Sequence, residues 1–168
     1  SIVTIDENGA ETTQDNIAEA MEEVGVKKQQ PVTKGRMRSR AKNNSNIVVV
    51  LDPGHYAGHV GASGNGVREE IATLKIAQAC KAELEQYSGV TVYMTREGSQ
   101  CPYPETVGVK SGNILDIKKR VEWAATKGAD VFISIHLNSA TPAAEGAEVY
   151  YPSSSSDGKE LAEDILNK

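Results

Sequence analysis

The stretch Ile47-Val48-Val49-Val50-Leu51-Asp52-Pro53-Gly54-His55 decides how the rest of the chain is read. Ile47 to Leu51 is an unbroken aliphatic, largely β-branched run, the pattern of a strand covered on both faces and so central in a parallel sheet. Pro53 then removes a ladder donor and Gly54 permits a tight turn, which swings His55 over the edge of the sheet. Asp52 is placed to orient that turn.

Downstream, strands alternate with helices. Glu69 to Tyr87 reads as a helix with Leu74, Ala77, Cys80 and Leu84 on one side, and Val90 to Thr95 as a second strand. Ile114 to Lys127 places Ile114, Ile117, Val121 and Ala124 on a helical face that Gly128 ends. Asp130 to Leu137 reads as a third strand, Ala147 to Tyr151 as a fourth, and Gly158 to Asn167 as a helix. The fold expected is α/β, an open and mostly parallel sheet flanked by helices.

Upstream, residues 1–45 read as a short N-terminal arm and linker, and 46–168 as the domain. The arm holds an extended piece at Ile2 to Ile5, the turn-forming Asn8-Gly9, and a helical segment from about Asp15 to Val24 with Ile17, Met21 and Val24 in one stripe. It is acidic from Asp6 to Glu23. Lys27, Lys28, Lys34, Arg36, Arg38, Arg40 and Lys42 then form a basic stretch that reads as a solvated linker. A chain of 168 residues with 39% hydrophobic content suits one well-buried domain plus an appendage.

Several classes are disfavoured. The net charge of -5 argues against nucleic acid, which usually leaves a basic footprint. No apolar run approaches the roughly 20 residues of a membrane helix, so no membrane span is expected. The segment from Ser1 does not read as an export signal. Gly61, Gly64 and Gly66 hint at a phosphate cradle but lack the dinucleotide spacing. There is no Gly-x-Ser-x-Gly elbow, and neither cysteine adjoins a histidine. Cys80 and Cys101 suit a disulfide or two free thiols.

What remains is a metal-ligand set. His55 lies just beyond the first strand, His136 at the end of the third, and Glu69 in the first turn of the first helix. Reaction sites of open parallel sheets form at the carboxyl ends of strands, so these residues can converge despite their sequence separation. Two imidazoles and a carboxylate hold a catalytic zinc while leaving a position for water. Glu70 competes with Glu69 for this role, because neighbours on a helix point about 100° apart and only one can face inward. His59 is open between a substrate contact, a local hydrogen bond and a fourth ligand.

Leu51-Asp52-Pro53-Gly54-His55, Val67-Arg68-Glu69 followed by Leu74, and Ser134-Ile135-His136-Leu137-Asn138-Ser139 resemble the zinc-dependent N-acetylmuramoyl-L-alanine amidases from about Asn46 to the chain end. The resemblance implies that His55, Glu69 and His136 bind one Zn2+, and it selects Glu69 over Glu70. It implies peptidoglycan as the partner and an extracellular or cell-wall location. The implied reaction is hydrolysis of the amide joining N-acetylmuramic acid to the first L-alanine of the stem peptide. His59 and Asn138 are the candidate substrate contacts. The family's general-base glutamate is expected beyond Lys168, because Glu160 and Glu163 sit beside Leu161 and Ile165 on a helix and read as solvent-facing. The chain is therefore expected to be a truncated or processed piece, or to meet the missing C-terminal part as a separate chain. The competing readings are a noncatalytic wall-binding or regulatory module on the same fold, and a zinc carboxypeptidase.

Overall fold

The computed structural model describes residues 2–6, 11–14, 46–110, 112–138 and 146–167. The chain divides into two compact units, one made of Ser1–Pro31 with Ala140–Lys168, the other of Val32–Ser139. The sequence alone suggests a division at residue 45 instead. The grouping found follows a pairing with no local signal: strand β1 (Ile2–Asp6) runs antiparallel to β2 (Glu11–Gln14) on one side and to the distant Glu148–Pro152 on the other. The helix expected at Asp15 to Val24 and the Asn8-Gly9 turn lie outside the described residues.

The Val32–Ser139 unit carries the chemistry. Its sheet has β3 (Ile47–Pro53) at the centre, with β6 (Val90–Met94) and β7 (Val131–Ile135) parallel to it on either side. The register places Leu51 beside Met94 and Ile133, and Asp52 beside Ser134. Between β3 and helix α1 (Glu69–Leu84) stands a small hairpin, β4 (Ser63–Gly64) with β5 (Val67–Arg68). Asn65 and Gly66, both at positive φ, make its two-residue turn. That hairpin has no counterpart in the sequence reading. It sets where α1 begins, since the Glu69 N–H donates to the Ala62 carbonyl.

Helix α1 covers one face of the sheet with the side expected of it. Ala77 is buried with Val49, Leu51, Val92 and Met94, and Leu74, Cys80 and Leu84 pack against them. Leu51 is fully buried, and burying a side chain of that size stabilises by about 1.5–3 kcal/mol. Cys80 and Cys101 are both free thiols.

Helix α2 (Gly112–Thr126) departs from expectation. Ala124 is buried, but Ile114, Ile117 and Val121 are exposed, Ile117 at 61%. The inward face is instead Gly112, Asp116, Arg120 and Ala124. The helix is turned by charge pairing: Arg120 donates to both Asp116 and Asp52, and these mutually neutralising groups are buried together. An apolar stripe predicts the inward face only where no buried ion pair competes for it.

In the other unit, α3 (Ser156–Leu166) follows β8 (Glu148–Pro152), and the Ser155 hydroxyl caps it by accepting from the Gly158 N–H. Tyr151 and Ala162 are buried against each other, with Val149 and Leu166 packed on them. Among the described residues, no helix is long and apolar enough to cross a membrane.

Candidate metal centre

The corner after β3 is held by two buried arginines. Arg120 Nη1 donates to the Pro53 carbonyl at 3.0 Å and Nη2 to that of His55 at 3.3 Å. Arg96 Nε donates to the same Pro53 carbonyl at 3.0 Å, and its Nη2 to the carbonyls of Gly54 at 2.9 Å and Glu70 at 2.8 Å. Three consecutive carbonyls that turn away from the ladder are thereby satisfied, as buried backbone acceptors must be. Asp52 balances Arg120 and also accepts from Ser134 and Thr95. Burial pushes the Asp116 carboxyl above its usual range, against the pull of Arg120. Arg96 escaped the sequence reading, although its place directly after a parallel strand is where such groups gather.

The clamped corner leaves His55 in the left-handed region, at φ 62°, a conformation that an L-residue adopts at a cost. Its ring turns toward Glu69, with Nε2 3.2 Å from Oε1, and His136 Nδ1 reaches the same oxygen at 3.0 Å. The two imidazoles stand edge to face with centroids 4.9 Å apart. His55, Glu69 and His136 each offer a ligand atom, and these atoms all lie within 4.8 Å of one another. The three residues that sequence position suggested are thus brought together. Glu69 rather than Glu70 faces the rings; Glu70 is buried on another side, paired with Arg68.

Two glycines make this convergence sterically feasible. A Cβ on Gly54 would fall 2.5–2.8 Å from the His136 ring, and one on Gly61 would overlap both Glu69 Oε2 and the His55 ring. Gly61 also sits at φ 70°, while Gly64 has open space around it. Close packing on ligand-type side chains is what Gly61 serves in this loop.

The protonation states suit a metal. Burial pushes the Glu69 carboxyl up, but the N–H groups of Ala62 and Leu137, together with His136, outweigh it and hold the group below the usual carboxylate range. Burial holds the His55 imidazole below its ordinary value; Glu69 opposes this, while His136 and His59 add to it. An ionised carboxylate and neutral imidazoles are the forms that ligate a divalent ion. Glu69 is 4% exposed, so its charge lies in a place where a cation compensates it well. The donor set fits zinc.

His59 lies behind His55, 3.1 Å from its other nitrogen. Asn138 is exposed, two residues past His136. A small open pocket of about 60 Å³ adjoins the cluster, lined by His55, His59, Asn113, Ile117 and His136 among others.

Residues 49–168 match the model of the N-acetylmuramoyl-L-alanine amidase family. The germination-specific N-acetylmuramoyl-L-alanine amidase of Bacillus subtilis (strain 168) is 33% identical over 127 residues, covering 74% of this chain and 53% of that protein. The amidase AmiA of Escherichia coli (strain K12) is 35% identical over 119 residues, covering 69% and 36%. Among solved structures, the CwlD amidase from Clostridioides difficile in complex with the GerS lipoprotein superposes with a TM-score of 0.62 at 27% identity, over 73% of this chain and 64% of that one. The chain spans about a third to a half of the length of these curated relatives. With the three-residue cluster inside the matched segment, this chain belongs to the N-acetylmuramoyl-L-alanine amidase family.

Proposed function

We propose that the chain provides the metal-binding part of a zinc-dependent hydrolase. Its substrate is peptidoglycan, and the bond cleaved is the amide between N-acetylmuramic acid and L-alanine of the stem peptide. The reaction takes place at the cell wall, outside the cytoplasm. The observation that carries this reading is the His55, Glu69 and His136 cluster opening onto a pocket, in a chain of this family.

In this reading the three side chains hold one Zn2+. When bound, zinc supplies Lewis-acid polarisation of the scissile carbonyl and brings the pKa of a water toward about 7. The protein's own contribution is placement. Glu69 is fixed by two backbone N–H donors and keeps its charge, and His55 is fixed by the arginine-held corner. His136 is the more open imidazole, its side chain 42% exposed, so substrate approaches from its side. Asp52 and Asp116 near the pocket are both committed to Arg120. Neither is therefore free to act as the proton acceptor of the reaction.

Incubating the zinc-loaded full-length protein with purified peptidoglycan, followed by mass spectrometry of the released material, tests the proposal. Stem peptides with a new L-alanine amino terminus, absent with the His55→Ala protein, are the expected result. Release of a C-terminal residue would mark a carboxypeptidase, and wall binding without products a binding module; either would overturn it.

A further inference from the structure

His59 belongs to a tight turn that folds its ring back on His55. The Tyr56 and His59 backbones exchange hydrogen bonds at 3.2 and 2.8 Å, closing over Ala57-Gly58, and the Ala57 N–H is anchored to the Ser99 carbonyl at 2.8 Å. The His59 ring thereby lies 5.1 Å from that of His55, centroid to centroid, and the two Nδ1 atoms are 3.1 Å apart. On its far side, His59 Nε2 is 3.1 Å from Nδ2 of the side-chain amide of Asn113, the second residue of α2.

Two imidazole nitrogens at that separation need a proton between them. The Nε2 of His55 is the nitrogen turned to Glu69, and a ligating nitrogen carries no proton. With an ion held on Nε2, a neutral His55 bears its proton on Nδ1 and donates it to His59 Nδ1. His59 then holds its own proton on Nε2 and donates to Asn113 with that amide turned to put its oxygen where Nδ2 stands; the two amide orientations have the same shape. Each hydrogen in the chain is determined by the one before it.

We propose that His59 is a positioning residue of the metal centre, fixing the tautomer and ring orientation of His55 and tied in turn to α2 through Asn113. The inference rests on the metal site proposed above. It replaces a substrate contact for His59, since both ring nitrogens are engaged within the protein. A fourth-ligand role is also replaced, because His59 addresses the nitrogen of His55 that faces away from Glu69. Partners of this kind, which orient a ligand through its second nitrogen, typically change metal affinity 10–100-fold when removed.

Zinc affinity of the full chain, measured by competition with a chromophoric chelator, tests the proposal in three proteins. His59→Phe keeps a ring but accepts no hydrogen bond, and zinc binding is expected to weaken by about 10–100-fold. His59→Gln offers an amide oxygen and is expected to recover most of that loss. Equal affinity in wild type and His59→Phe, or a loss in His59→Gln as large as in His59→Phe, would overturn it. Nitrogen-15 NMR of zinc-loaded wild type reads the same point without a substitution: His55 protonated on Nδ1 is expected, and protonation on Nε2 would overturn it. A wild-type chain that takes up no zinc at all would sink the metal site itself, which separates the two failures.

Discussion

Replacing Arg120 with alanine should destabilise the protein more than any other single change near the site. Arg120 is 2% exposed and donates to Asp52, Asp116, Pro53 and His55. Removing one side of a buried ion pair costs about 3–5 kcal/mol, because the partner charges stay buried without compensation. Here two carboxylates lose their compensating charge and the His55 carbonyl its donor, while Pro53 keeps Arg96, so the upper end applies, against a total stability of about 5–15 kcal/mol for a domain. At about 2–4 °C per kcal/mol for a chain of this size, the melting temperature should fall by roughly 10–20 °C. The pH dependence has a definite sign. Burial already raises the Asp116 carboxyl with Arg120 present, and removing the guanidinium raises it further. A folded-state pKa above the unfolded value of about 3.9 means a penalty that is full at neutral pH and fades as pH falls through the folded pKa. The gap between wild type and Arg120→Ala, followed by circular dichroism melts from neutral to acid pH, should therefore narrow on acidification. A second protein, Arg120→Met with Asp116→Leu, removes one stranded carboxylate and should recover part of the loss. A melting temperature within 2 °C of wild type for Arg120→Ala would refute the reasoning.

Other consequences are simpler to read. Gly61→Ala must adopt a left-handed φ at a cost of about 1–2 kcal/mol and push its Cβ into Glu69 and His55, so zinc affinity should drop by about tenfold or more in chelator competition; Gly64→Ala, with open space around it, should bind as wild type. Glu69→Gln should abolish stoichiometric zinc, whereas Glu70→Gln should retain it and show its effect in the melting temperature, since Glu70 is buried beside Arg68 rather than facing the imidazoles. Leu51→Ala, in the fully buried centre of β3, should cost about 2–5 kcal/mol in denaturant unfolding without altering ligand identity.

The parts of this structure that the sequence discloses are those governed by local rules. The run at Ile47 to Leu51 is a central strand because an unbroken β-branched stretch suits burial on both faces, and Leu51 is indeed fully buried. The positions of His55 and His136 follow from strand ends, since a parallel sheet brings those ends to one edge. Other features depend on partners distant in sequence. The inward face of α2 is set by Arg120 meeting Asp52, a residue in another element, so the stripe of Ile114, Ile117 and Val121 misleads. The pairing of Ile2–Asp6 with Glu148–Pro152 spans nearly the whole chain and has no periodic signature. Arg96 reads as an ordinary charged residue until its bonds to the Pro53, Gly54 and Glu70 carbonyls are seen. His59 shows its relation to His55 only through the turn at Ala57-Gly58.

The most direct measurement is metal content by mass spectrometry after equilibrium dialysis against buffered zinc, made on wild type beside His55→Ala, Glu69→Ala and His136→Ala. One zinc per wild-type chain, and loss of that stoichiometric ion in each of the three variants, is the predicted result. A variant that keeps a full equivalent of zinc, with its fold intact, would show that the corresponding side chain is not a ligand and that the cluster is held together for another reason.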